Sequence, residues 1–285
     1  MSYKIITDTC CDFPKEMYNE LDLAVCPLGV LYKGEVCNDY TEAWLKDFYA
    51  GLRNGETATT SAVNIDGWKQ VIEPVLQAGQ DALVLVFTSG LSGTYQNATI
   101  AAQELQEQYP ERKINVVDTL CASLGQGLLV WYACQKRDEG LGFEELTAWV
   151  EENKMKVCHW VIADDLMHLK RGGRISAATA VAGTLLQIKP VIHVDDEGHL
   201  VNVAKARGRK NAIELLRDKV ATGIPGANDT VFICHGDCEE DAKLLADMLK
   251  EKYGTKKVFY YYIGAVIGAH TGPGVMAVFF LGDKR

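Results

Sequence analysis

Short runs in which nearly every position is apolar alternate along this chain with stretches whose apolar residues recur at helical spacing. Tyr3–Thr7 (YKIIT), Ala82–Phe87 (ALVLVF), Ile114–Val117 (INVV), Val161–Ala163, Val231–Cys234 (VFIC) and Val258–Ile263 (VFYYYI) are the strand candidates. Runs apolar on both faces suit a sheet covered by helices on each side. Ala98, Ala101, Ala102, Leu105 and Tyr109 mark an amphipathic helix that opens near Thr94 or Tyr95. Leu244, Leu245, Met248 and Leu249 mark another, closing at Gly254. The alternation predicts an α/β architecture with mainly parallel strands. One segment departs from it: Pro190–Ala206 carries two alternating runs around Asp195-Asp196-Glu197-Gly198, which predicts a β-hairpin. The polar stretch EENKMK, Glu151–Lys156, follows the helical FEELTAWV and is the candidate boundary. The expected organisation is therefore two α/β lobes, residues 1–155 and 156–285, with a cleft between them and segments free to exchange across the boundary.

Composition narrows the functions. The 285 residues suffice for one large core or two modest ones, and the mix of 48% hydrophobic and 24% charged residues is that of a soluble globular protein. A net charge of −9 argues against broad nucleic-acid binding. Two basic clusters run against that balance, LKRGGR at Leu169–Arg174 and KARGRK at Lys205–Lys210; each reads as a solvated loop or as an anion-facing, docking one. No charged leader precedes a long apolar segment at the N-terminus, and no apolar run approaches the roughly 20 residues that cross a bilayer. Nine cysteines without a CxxC pair suit reduced thiols, so the expected compartment is the cytoplasm. CHGDC, Cys234–Cys238, has no second cluster to complete a four-ligand zinc site, so no metal is expected.

Three loops are candidates for chemistry. FTSGLSGTYQNA, Phe87–Ala98, joins an apolar strand to a helix and places Ser92 and Gly93 at the helix N-terminus, where unpaired amides favour an anion. It is not a Walker A loop, a dinucleotide fingerprint or a hydrolase elbow, since the Lys, the glycine spacing and the final Gly are respectively missing. Simple capping of the helix by Ser and Thr explains it equally. ETATTSAVN, Glu56–Asn64, clusters Thr57, Thr59, Thr60 and Ser61 and by itself reads as a turn or cap. IGAVIGAHTGPG, Ile263–Gly274, sets His270 among glycines, where it can face a cleft and donate a hydrogen bond or carry a charge, or merely tie down a turn. No Ser-His-Asp order and no paired acidic motif has local support, so the chain reads as a binder and not a catalyst.

Taken together, these motifs resemble the DegV family of bacterial fatty-acid-binding proteins. The resemblance spans almost the whole chain, 2–282, and rests on IITDTCCDFP, TTSA, SGLSGTYQNA, VVDTLCASLGQG, LKRGGRIS, LLQIKPVIHVDDEGHL and IGAVIGAHTGPG in that order. It implies two α/β lobes around one long-chain fatty acid, the carboxylate held at the mouth of an apolar tunnel by Thr60, Ser61, Ser92, the Gly93 amide and His270. It further implies a fatty acid kinase as partner, which makes an acyl phosphate that the protein carries toward phospholipid synthesis, with Arg171 and Arg174 at the partner or phosphate contact. A transient membrane contact belongs to the same picture, and no cofactor beyond the lipid does. Many members continue Thr-Ser with Gln-Pro, where this chain has Ala62-Val63. A serine-dependent lipid hydrolase, using Ser92 as nucleophile and His270 as base, and a lipid-sensing regulatory protein are the alternatives.

Overall fold

A computed structural model describes residues 2–164, 166–176, 187–223 and 229–285 of the chain. The Leu185-Leu186 pair that opens LLQIKPVIHVDDEGHL lies outside them. The first sheet joins β1 (Tyr3–Asp8), β2 (Ala24–Cys26), β6 (Asp81–Val86) and β7 (Ile114–Asp118) in the order β2-β1-β6-β7. All its pairings are parallel, as the doubly apolar runs predict. Among the described residues it packs against α3 (Ile65–Gln77), α4 (Thr94–Gln108) and α6 (Phe143–Asn153), while α5 (Leu124–Asp138) packs against β8 (Val157–Ile162), β11 (Thr230–His235) and β13 (Met276–Leu281) of the second sheet.

A small antiparallel sheet, β4-β3-β5, comes from β3 (Gly29–Tyr32), β4 (Glu35–Cys37) and β5 (Ala58–Ser61). The Thr-rich segment expected as a turn is thus an edge strand. Threonine suits a pleated strand, but with only four residues and no apolar face it gives no alternation to read; pairing with β3 decides it. Helix α2 (Glu42–Arg53) follows this sheet's hairpin, capped by Thr41, whose hydroxyl accepts from Trp44 N–H.

The second sheet has the order β10-β9-β8-β13-β11-β12, from β8 (Val157–Ile162), β9 (Ile188–Val194), β10 (Leu200–Arg207), β11 (Thr230–His235), β12 (Lys257–Tyr262) and β13 (Met276–Leu281). Here the expectation of mainly parallel strands is corrected: only β11 and β12 pair in parallel, and the other four pairings are antiparallel. Two causes account for it. The β9–β10 hairpin adds its own antiparallel pair, and β13, a continuous apolar run with no period to mark it, inserts between β8 and β11 in reverse.

Period-2 geometry divides this sheet's residues between two environments. Met276, Val278 and Phe280 join a core with Ala212, Ile213 and Leu216 of α8 (Arg209–Val220) and Leu245 and Leu249 of α9 (Glu239–Tyr253). Val275, Ala277 and Phe279 face the other way, into the core shared with the first sheet. Two short helices complete the site, α7 (Met167–Arg171) and α10 (Ala265–Thr271). No helix among the described residues is long and apolar enough to cross a membrane.

Candidate functional site

A chamber lies over the inward face of the second sheet. Ala277 of β13 pairs with Val161 of β8, and Val161 with Ile192 of β9, so these three side chains form a row across the strands and a floor for the chamber. Phe87, Leu91 and Ala122 from loops of the first sheet, with Val266 and Ile267 of α10, close it from the other side. Its empty volume, counted out to the open mouth, is about 1000 Å³. The lining is mostly hydrocarbon.

Polar groups collect at one end. Thr60, near the end of β5, and His270, near the end of α10, share a hydrogen bond of 2.8 Å between Oγ1 and Nε2. Ser92 and Gly93 line the same end. The Ser92 hydroxyl shares a 2.8 Å hydrogen bond with that of Thr94 and accepts from Thr94 N–H at 3.3 Å. Capping and cavity lining are therefore not alternatives at Ser92; the geometry does both. Gly93 is the residue before the first helical turn and faces open space, so its neighbouring unpaired amides are accessible. Ser61 also lines the cavity, but its side chain lies on the opposite face of β5 from that of Thr60, with Oγ against Gly29 of β3. The pairing needed by the hydrolase alternative is not formed, since His270 bonds to Thr60 and Ser92 to Thr94.

Burial, with the charge of Arg174 nearby, pushes the His270 imidazole down to about 4. It is neutral at pH 7, so it offers one ring nitrogen as donor and the other as acceptor and is not a standing cation. His270 is also not on a loop. Gly264–Thr271 coils into α10 because it packs on α2, β3 and β5, and tertiary packing overrides the poor propensity of its glycines.

LKRGGR is not a free loop either. Lys170 and Arg171 end α7, and Arg174 turns back so that Nε donates to Leu91 O (3.1 Å) and Nη1 to Gly172 O (2.5 Å). Arg174 thus stands on the wall of the main chamber, close to the His270 end. A side chain at position 172 would collide with His270 Nδ1, so the first glycine of the motif is set by the histidine's close approach. Arg171 donates to His168 Nδ1 (2.9 Å) and lines a polar recess next to Thr60 and His270, shared with Thr57, Thr59 and Arg174. In the other basic stretch, KARGRK, Arg209 serves structure: it pairs with Asp241 and donates to Gly274 O.

The β9–β10 hairpin clamps the opening loop. Thr88 Oγ1 donates to Gly198 O at 3.1 Å, and a Cβ on Gly90 would lie 2.7 Å from that same carbonyl oxygen. Gly90 therefore serves packing against the hairpin and not ligand approach. Ser123, His159 and Cys234 also line the chamber; Ser123 and His159 carry no signal in the sequence, and Cys234 only one for a metal that CHGDC cannot complete. The CASLGQG segment was quoted only as a motif, and nothing in its spacing says which residue turns inward.

Fold and site together define an α/β protein of two large sheets and one small one, with an apolar internal chamber stoppered by hydroxyl, amide and imidazole groups. The chain belongs to the DegV family: the family profile, described as "Uncharacterised protein, DegV family", matches residues 2–283. A DegV domain-containing protein of Clostridium perfringens is 46% identical over 293 residues, spanning 99% of this chain and 98% of that one. A fatty-acid-binding DegV family protein of Thermus thermophilus superposes with a TM-score of 0.86 at 30% identity, covering 99% of this chain and all of the other (100%). A DegV family protein of Ruminococcus gnavus, whose structure was refined with vaccenic acid, gives a TM-score of 0.85 at 26% identity, with 98% and 99% covered.

Proposed function

We propose that this chain binds one long-chain fatty acid, with its carboxylate at the Thr60–His270 end and its tail in the chamber. The observation that carries this is the coincidence of a largely hydrocarbon-lined cavity with the hydrogen-bonded Thr60–His270 pair on its wall. Thr60, Ser92, the Gly93 amide and neutral His270 offer charge-assisted hydrogen bonds, each worth about 1.5–3 kcal/mol to a carboxylate. Ser61 contributes to the rim. Each buried CH₂ adds roughly 0.8 kcal/mol, so a long tail gains on the order of 10 kcal/mol before ordering costs. The tail supplies affinity and the head group fixes direction. The fatty-acid ligands of family structures support the reading.

The finer reading is a carrier and not an enzyme. The protein presents the bound acid to a fatty acid kinase, which converts the carboxylate to an acyl phosphate bound for phospholipid synthesis. Arg171 and Arg174 supply positive charge in the recess beside the head group, where a phosphoryl group and the partner would approach. Division at residue 155, with 1–155 and 156–285 as the two lobes, belongs to the same proposal, as does a cytoplasmic setting with transient contact to a membrane.

Mass spectrometry of the purified protein under native conditions is the test. A retained mass matching a long-chain fatty acid is expected; a protein repeatedly empty, and unable to take up oleate or palmitate, refutes the reading. For the carrier step, loaded protein incubated with the kinase and ATP should yield acyl phosphate, and Arg171→Ala should reduce that yield while leaving fatty-acid retention intact.

A further inference from the structure

Beyond the head-group end, the described chamber wall is hydrocarbon except at His159, Cys234 and Ser123. His159 has no capacity left for a ligand: Nε2 accepts from Ala122 N–H at 3.2 Å, so Nδ1 carries the proton and donates to Val157 O at 3.0 Å. Ser123 is different. It precedes the first turn of α5, where a serine ordinarily caps the helix, yet its side chain makes no cap hydrogen bond. Its backbone is held at φ 55° and ψ −144°, a conformation that costs a non-glycine residue and that clusters at ligand-handling sites.

The strained turn aims the hydroxyl at Asp12 Oδ2 (2.5 Å) and Cys234 Sγ (3.3 Å). Asp12 is only 4% exposed, and burial pushes its carboxyl up to about 8, so it holds a proton at neutral pH. The Gly264 amide favours its charged form from nearby without meeting hydrogen-bond geometry at Oδ1. The single proton of the hydroxyl goes to Asp12 Oδ2, and the Cys234 sulfur lies within reach of the same oxygen. One lone pair of the serine oxygen is then left for a donor from the chamber.

Its place along the chamber follows from α10. Asp12 abuts Gly264, the residue before that helix, and His270 is six residues further on, roughly 9 Å at 1.5 Å per residue. Ser123 therefore lies beside the tail and not beside the carboxylate. An extended alkyl chain advances about 1.25 Å per carbon–carbon bond, less than the bond length itself, so that reach is about seven bonds and ends near carbon 8 of an eighteen-carbon chain.

We propose that the chamber accepts fatty acids bearing a mid-chain hydroxyl, which donates its hydrogen bond to Ser123 Oγ. The inference rests on the reading of this chain as a fatty-acid binder. In a dry hydrocarbon channel a hydroxyl without an acceptor is strongly disfavoured, so a single acceptor on the wall decides whether such an acid is taken or refused.

The experiment compares dissociation constants of octadecanoate with those of 9-, 10- and 12-hydroxyoctadecanoate. It uses the delipidated full chain as wild type, Ser123→Ala and Ser123→Gly. Ser123→Gly also relieves the positive φ, so it keeps the test alive where the alanine variant folds poorly; melting curves show which variants are folded. For at least one hydroxy acid, its Kd relative to that of octadecanoate should rise about tenfold in the folded variants, the loss of one hydrogen bond, while octadecanoate itself changes less than about twofold. A ratio that stays constant for all three hydroxy acids overturns the inference, as does a wild type that binds every one of them more than about a hundredfold more weakly than octadecanoate. A wild type that binds no octadecanoate overturns the parent reading and this one with it.

Discussion

Thr60 and His270 stand 210 positions apart in the chain and 2.8 Å apart in space. Each alone reads as a turn residue; joined, they are the polar stopper of an apolar chamber. Thr60→Val keeps the shape and removes the hydroxyl, so fatty-acid affinity measured by fluorescence displacement should fall roughly tenfold or more, with little change in melting temperature. Asp12 gives a second prediction, in pH. Its folded-state pKa, about 8, lies above the ordinary aspartate value of 3.8. Below that value both states are protonated and no penalty exists. As pH rises, the unfolded chain ionises first, so stability falls across the interval and levels off above about 8. Asp8, pushed up to about 6, acts in the same direction and is present in either protein. Urea midpoints between about pH 5 and pH 8 should therefore fall less in Asp12→Asn than in wild type, by an amount equivalent to a few kcal/mol; parallel pH profiles would show that Asp12 is not protonated in the fold.

Among elements, the loop after β6 and the β9–β10 hairpin act as one part. A methyl group at position 90 would lie 2.7 Å from Gly198 O and 2.8 Å from Glu197 O, and backbone atoms cannot rotate aside as a side chain can. Gly90→Ala should cost about 1–3 kcal/mol of stability in chemical denaturation and weaken lipid retention by displacing Leu91–Gly93. Gly93→Ala is the control. Its φ of −72° is ordinary and a Cβ there meets nothing within 4 Å, so stability should hardly change. The hairpin, α4 and the parallel strands were legible because each repeats a pattern over five residues or more. α10 was not, because a glycine-rich helix has no propensity to announce it, and the reversed place of β13 was not, because an apolar run carries no sign of the strands it pairs with.

For the whole molecule, the chamber is a void in the shared core, and filling it couples ligand to fold. A fatty acid at one hundred times its Kd should raise the unfolding free energy by about 2.7 kcal/mol, seen as a higher melting temperature for loaded than for delipidated protein. Equal melting temperatures at saturating oleate would mean that the lipid does not occupy the folded core.

Local chemistry written in the chain was enough to indicate β1, β6 and β7 of the parallel first sheet, the hairpin, and the hydroxyl and imidazole side chains that line the chamber. Those depend on interactions between near neighbours, whose spacing is read directly. Which of those groups converge, that His270 is neutral, that Gly172 yields to it, and that Ser123 turns away from its helix toward Asp12 were decided only when the two sheets closed on each other. Contacts across hundreds of positions and the loss of water from a buried site leave no local pattern, because burial belongs to the assembled core and not to any segment of it.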